Sequence, residues 1–316
     1  MNDQEEYLIS YSNLKSGLFK YQNDFLDSKM LLNFYKNPSY GVPLCLPANI
    51  KYFDYSNAIY FKIDKKKFSK EIFKTKKLNY VGNVKYFRYG NLFASNIKIK
   101  KEYFGQLQKY QLKTKTLKKK IKSLLKKEKK VCAMQIRNVP HFGHEAIFKF
   151  LIKKFNLLIL NPIFGIKKKN DFSDNLISKA LRFMENKYKK KIIFLPIWSN
   201  FHYAGPREAV HHMNLRESLG FNYFYIGRDH AGAQNLYKLN DATKLVKKNK
   251  LNFNINSVTS SGGYYCQKCQ DYLIRGTCKH RKLINISGTE FRKKLFNRLT
   301  YIHADKKLQI KLIKYL

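Results

Sequence analysis

The chain has 316 residues and is 44% hydrophobic, enough for two domains and a small third module with real cores. No run approaches the roughly 18 apolar residues of a membrane span, and the opening MNDQEEYLIS is acidic where a secretory signal is basic, so a cytoplasmic protein without a membrane partner is expected. The formal charge of +42 would suit nucleic acid, but it comes from 53 Lys and only 10 Arg amid abundant Asn, Ile, Tyr and Phe, the residue usage of an A+T-rich genome, and is read as solvated lysine faces rather than a nucleic-acid surface.

In chain order, residues 1–112 hold short Tyr/Phe/Ile-rich runs broken by turn signals, such as NPSYGVPLCLPANI and NYVGNVKYFRYGNLF, and predict a small, β-rich domain. Residues 113–130 place Leu117, Ile121, Leu124 and Leu125 at helical spacing among lysines, predicting a basic connecting helix. From Val131 to residue 250 the pattern alternates: VCAMQ a strand, Gly143–Phe155 a helix, LLIL a strand, Asp174–Lys187 a helix, IIFLPI a strand, Pro206–Leu219 a helix, YFYIG a strand. Continuous apolar strands separated by helices predict an α/β domain with a parallel sheet covered on both faces, which binds ligands beyond the C-terminal strand ends. The stretches QIRNVPHFGHE, YAGPREA and GRDHAG all fall there. Residues 251–316 form a C-terminal module.

Two compositional features point to the same region. Where Lys is the default base, each Arg marks a place that needs a planar, bidentate fork, and Arg137, Arg207, Arg228 and Arg292 lie in motif-like stretches. The window Ile192–Tyr237 contains no Lys, as a buried or functional segment would. Within it, His211 and His212 on a helix read as packing residues beside the site. His141 and His144, three apart at a helix start after a strand, can face one phosphate chain together, and Gly143 lets backbone approach it. Cys266, Cys269, Cys278 and His280, with a tight C-x-x-C, suit a structural zinc site, whereas Cys45 and Cys132 have the apolar surroundings of core residues.

Taken in order, QIRNVPHFGHE, YAGPREA, GRDHAG and ISGTEFR resemble the signature set of the sulfate adenylyltransferase (ATP sulfurylase) family over roughly residues 130–295. The resemblance implies a Rossmann-like nucleotidyltransferase domain of the H-x-G-H superfamily, an N-terminal PUA-like domain in shortened form, and a homo-oligomer. It implies Mg-ATP and sulfate as substrates, with adenylyl sulfate and pyrophosphate as products formed by direct attack of sulfate on the α-phosphorus. By similarity, Gln135 and Arg137 hold sulfate with the backbone of Ala231. Asn138, His141 and His144, with Gln135, engage the triphosphate, and Gly227, Arg228, Asp229 and His230 line the nucleotide site. Arg137, Asn138, His141, His144 and Arg228 form the catalytic set. Some members of the family also carry zinc at the place of the cysteine cluster. Neutralisation of two polyanions by Arg and His, with in-line positioning, would then supply most of the catalysis.

GIKKKND fits the family's G-x-x-K-x-x-D loop through Gly165, Lys168 and Asp171, but Ile136 stands where most members have Thr, and cannot donate to an anion. Two other readings stay open at this point: a nucleotidyltransferase of the same superfamily with another acceptor, and a catalytically weak nucleotide- or RNA-binding homologue.

Overall fold

The computed structural model describes residues 3–167, 171–228 and 230–316. Five strands, β1 (Val131–Met134), β2 (Leu157–Leu160), β3 (Ile192–Phe194), β4 (Tyr223–Ile226) and β5 (Asn256–Thr259), form one parallel sheet in the order β5-β4-β1-β2-β3. Ala133 of the central strand pairs with Ile159 on one side and Phe224 on the other, which fixes the register. The fifth strand lies beyond residue 250, so the parallel sheet runs further than the sequence pattern placed it.

The period-two alternation of the strands sorts their side chains into two cores. Cys132, Met134, Leu158 and Leu160 face one core with Phe148 and Leu151 of helix Phe142–Lys154 and Leu176, Ala180 and Met184 of helix Asp174–Lys187. Val131, Ala133, Leu157, Ile159 and Phe224 face the other with helix Pro206–Ser218. That helix is buried from Arg207 to Arg216, on every side, which accounts for the absence of lysine there.

The first hundred residues depart from the β-rich expectation. They contain helices Glu5–Lys15 and Ser28–Lys36, and their strands run only two to four residues each. Of the aromatic-rich runs, NYVGNVKYFRYGNLF opens with helix Val81–Tyr86 before its strand Leu92–Ser95, and helix Glu5–Lys15 is buried from Glu6 to Leu14. Its core is continuous with that of the sheet, since Tyr7, Leu8 and Leu14 cluster with Val131, Ala133 and Phe224.

The basic helix spans Phe104–Lys127, longer at its start than predicted, and buries Ile121 fully while Leu117, Leu124 and Leu125 pack at the same core's margin. Past the sheet, strands Gly263–Cys266, Asp271–Ile274 and Leu283–Asn285 make a small antiparallel sheet, followed by helices Gly288–Phe296 and Lys306–Ile313. Among the described residues no helix is long and apolar enough to cross a membrane.

Candidate active site

In this strand order the chain reverses direction across the sheet between β1 and β4, so a crevice opens beyond their C-terminal ends. A cavity of about 280 Å³ occupies it, walled by Gln135, Ile136, Arg137, Asn138, His141 and His144 after β1 and by Gly227, Arg228, His230 and Ala231 after β4. All the ligand-contacting positions inferred from the sequence therefore meet in one place, apart from Asp229, which, like Lys168, lies outside the described residues.

His141 caps helix Phe142–Lys154: its Nδ1 accepts the Gly143 N–H at 3.1 Å, and His144 Nδ1 accepts the His141 N–H at 3.3 Å. An Nδ1 that accepts carries no proton, so both rings are the tautomer with a donating Nε2–H. Burial, then the neighbouring His144 ring, holds His141 well below the usual histidine range, and burial lowers His144 to about 4. At neutral pH these residues are hydrogen-bond donors rather than the cations their sequence role suggested. The helix start is pressed against the small sheet, because Gly263 packs directly on the Gly143 backbone.

The two amides flanking Arg137 are each held from behind. Arg216 Nη2 donates to Gln135 Oε1 at 2.6 Å, and Arg292 Nη2 donates to Asn138 Oδ1 at 2.6 Å. A guanidinium cannot accept, so the carbonyl end of each amide must face its arginine and the NH₂ end is left over as a donor. With Arg137, the polar side chains of this stretch present donors, which suits an anion. Arg137 itself donates to the Gly232 carbonyl at 3.5 Å and stands 6.0 Å from the centre of the Tyr203 ring.

Arg292 also lies 3.5 Å from Asp171, whose side chain is buried. Across the cavity Arg228 bonds the Tyr264 hydroxyl, and Gly262 leaves it room, since a Cβ there would come within 2.7 Å of its Nε. Ala231 adopts a left-handed φ of 55°, uncommon for a residue with a Cβ, so the turn after β4 holds local strain at the cavity.

Within the lining, His212 Nδ1 meets His230 Nε2 at 2.9 Å, and deeper in, Glu208, fully buried, accepts the His202 and Ala204 N–H groups at 2.9 Å each. His211 stacks on Phe19 outside the cavity, as its packing role predicted. Arg207 has another task than ligand binding: it is buried and donates to the carbonyls of Phe34, Tyr35, Asn37 and Gly41, fastening helix Pro206–Ser218 to the N-terminal region. Sequence reasoning missed Arg216 and Asn161. The Asn161 Oδ1 accepts Arg216 Nε at 3.0 Å, and the only available signal was the scarcity of arginine.

In the small sheet, Cys266, Cys269, Cys278 and His280 bring their ligand atoms within 4.8 Å of one another. His280 Nδ1 is 3.3 Å from Cys266 Sγ and 3.2 Å from Cys269 Sγ, and Cys278 Sγ is 3.8 Å from Cys266 Sγ. Tetrahedral zinc with bonds of about 2.3 Å to sulfur and 2.05 Å to nitrogen sets separations of roughly 3.6–3.8 Å; the Cys266–Cys278 pair meets this, the two histidine contacts are a few tenths of an ångström shorter, and three thiols with one imidazole are a donor set that this ion takes.

Residues 108–300 match the ATP-sulfurylase family. The chain is 33% identical over 237 residues to a sulfate adenylyltransferase of Pyrococcus abyssi and 34% identical over 241 residues to one of Thermococcus onnurineus, which takes in 73% and 74% of the chain. It spans about three fifths of the length of these relatives, 62% in each case. Among solved structures, the hexameric APS kinase from Thiobacillus denitrificans superposes with a TM-score of 0.50 at 12% identity, over 71% of this chain and 43% of that one, a likeness of fold.

Proposed function

The chain belongs to the ATP-sulfurylase family, and from that premise we propose that it is a sulfate adenylyltransferase, joining sulfate to the α-phosphorus of ATP with release of pyrophosphate, or running the same step backwards to make ATP. The observation that carries this is the crevice between β1 and β4, where the side-chain donors around Arg137 face the Arg228 turn.

In this reading Gln135 and Arg137 hold sulfate with the backbone of Ala231. Asn138, His141 and His144 donate to the triphosphate, the histidines through neutral Nε2–H groups, and Gly227, Arg228, Asp229 and His230 line the nucleotide. Sulfate and the α-phosphate are both anions, so their approach is opposed in water. Fixed guanidinium and amide donors in a partly closed crevice replace that solvation without reorganising as the reaction proceeds. Magnesium, bound with ATP, would neutralise part of the triphosphate charge. No group on the wall needs to accept a proton, since sulfate attacks already ionised.

Residues 131–259 would constitute the nucleotidyltransferase unit and residues 263–316 a module stapled by zinc on Cys266, Cys269, Cys278 and His280, while residues 1–112 would be a reduced PUA-like domain. The clustering of three thiols and an imidazole supports the metal. The catalytic reading is tested by incubating the purified chain with Mg-ATP and sulfate and following pyrophosphate. Release that saturates with sulfate is expected, and release without sulfate, or none, contradicts it. The same enzyme given adenylyl sulfate and pyrophosphate should make ATP.

A further inference from the structure

We propose that Arg216, which lies behind the cavity wall, is the positioning residue that turns the Gln135 amide so that its nitrogen, not its oxygen, is offered to the acceptor anion. The inference rests on the functional reading above and assigns a specificity role to a residue that touches no substrate.

Arg216 is fully buried on helix Pro206–Ser218. Its guanidinium donates to the Asn161 side-chain oxygen at 3.0 Å, the Asn161 backbone carbonyl at 2.6 Å, the His212 carbonyl at 3.4 Å and Gln135 Oε1 at 2.6 Å. All four acceptors are neutral, and among the described residues no carboxylate forms an ion pair with it. A buried charge without a counter-ion costs several kcal/mol, so a folded chain that keeps one compensates with a rigid, fully formed set of hydrogen bonds. Asn161 is held in turn, its N–H donating to the Met134 carbonyl at 2.8 Å and its Nδ2 to the Leu195 carbonyl, so the clamp is braced against β1 itself.

The consequence falls on Gln135. With Oε1 committed to a group that only donates, its Nε2 is buried without a hydrogen-bond partner among the described residues, on the wall of the cavity. A free glutamine would present oxygen or nitrogen with equal ease, and oxygen toward sulfate is repulsive. Arg216 removes that choice. Burial lowers its guanidinium to about 9, which leaves it charged at neutral pH and its field directed at the same wall.

Arg216→Met, Gln135→Ala and the double variant, made in the full chain, separate this role from a structural one. The KM values for sulfate and for ATP are measured by pyrophosphate release, with thermal melting as a check on folding. Arg216→Met should raise the sulfate KM by roughly tenfold or more while the ATP KM moves by no more than about threefold. The double variant should be no worse for sulfate than Gln135→Ala alone, because Arg216 acts through that amide. Additive effects on the sulfate KM, or an unchanged sulfate KM in Arg216→Met, overturn the proposal. Should Arg216→Met fail to fold, Arg216→Lys, which keeps charge but not the fork, goes through the same cycle under the same criteria. A wild-type chain that saturates normally with sulfate while the cycle is additive removes only the positioning role. A wild-type chain inert toward sulfate removes the functional reading, and the positioning role with it.

Discussion

Gly263 lies so close to Gly143 that a Cβ built on it would stand 2.0 Å from the Gly143 carbonyl oxygen. Strand Gly263–Cys266 thus lies in direct contact with the first turn of the helix that presents His141 and His144. Gly263→Ala must displace that turn, because the obstructing atom is backbone and cannot rotate away. The change should destabilise the chain by roughly 1–3 kcal/mol and raise the ATP KM severalfold. Gly105→Ala, on a helix and with nothing within 4 Å of the added carbon, is the control and should be neutral or slightly stabilising. Equal melting temperatures in the two variants would mean that the contact is not as tight as the geometry requires.

The buried histidines give the fold a definite pH dependence. His141, His202, His212 and His230 are held well below the usual range by burial first, and His144 and His211 are lowered by burial to about 4. Their folded pKa lies below the unfolded value near 6.5, so the unfolded chain binds more protons in between. The stability they contribute is fully present above about pH 6.5 and is lost as pH falls toward 4. For His211 alone the loss is on the order of 3 kcal/mol. The melting temperature should be level from pH 8 to 7 and fall steadily below 6.5, with a shallower slope in His211→Gln. A melting temperature that rises on acidification to pH 5 contradicts this.

What the sequence makes legible, and what it hides, follows from the range of the interactions. VCAM, LLIL and YFYI are short apolar runs buried on both faces, so the parallel sheet and the crevice at its strand ends can be read locally. So can the pairing of His141 with His144, which needs only helical spacing. The clamp of Arg216 on Gln135 joins residues 81 positions apart and leaves no local signature. The rarity of arginine directed attention to Arg207 as readily as to Arg137, yet Arg207 spends its fork on four backbone carbonyls. In the N-terminal region aromatic residues occur too densely for period two and period 3.6 to be told apart, and helices formed where strands were expected.

The cysteine cluster should bind about one zinc per chain, measured by elemental analysis of protein purified without chelator. Cys266→Ser with Cys269→Ser should lose the metal and much of the thermal stability. Because Cys266 ends the strand that begins at Gly263, the ATP KM should rise as well. Metal-free wild-type protein of full stability would make these residues ordinary thiols.

Ile136 is only 2% exposed and packs in the same core as Val139 and Ile147, although it also lines the cavity. Ile136→Thr therefore removes buried apolar surface and adds a hydroxyl to it, at about 1–2 kcal/mol of stability. The sulfate KM should stay level or fall, since Gln135 and Arg137 already face the anion. A sulfate KM that rises severalfold would show that the apolar side chain itself shapes the acceptor pocket.

Arg137 sits between the two clamped amides, and among the described residues its hydrogen bond runs to the Gly232 carbonyl at 3.5 Å, long enough to be weak. A fork so loosely engaged is available to a ligand. Lysine at this position would keep the charge, so long-range attraction of sulfate would survive. It would lose the second hydrogen bond and the planar alignment that two parallel donors impose on an oxyanion. Arg137→Lys should accordingly reduce turnover with sulfate by roughly 10- to 100-fold, about 1.4–2.7 kcal/mol, with the ATP KM nearly unchanged. Sulfate-dependent pyrophosphate release in the variant measures this. Wild-type sulfate kinetics in Arg137→Lys would place the acceptor away from this wall, and the roles given to Gln135 and Arg216 would have to move with it.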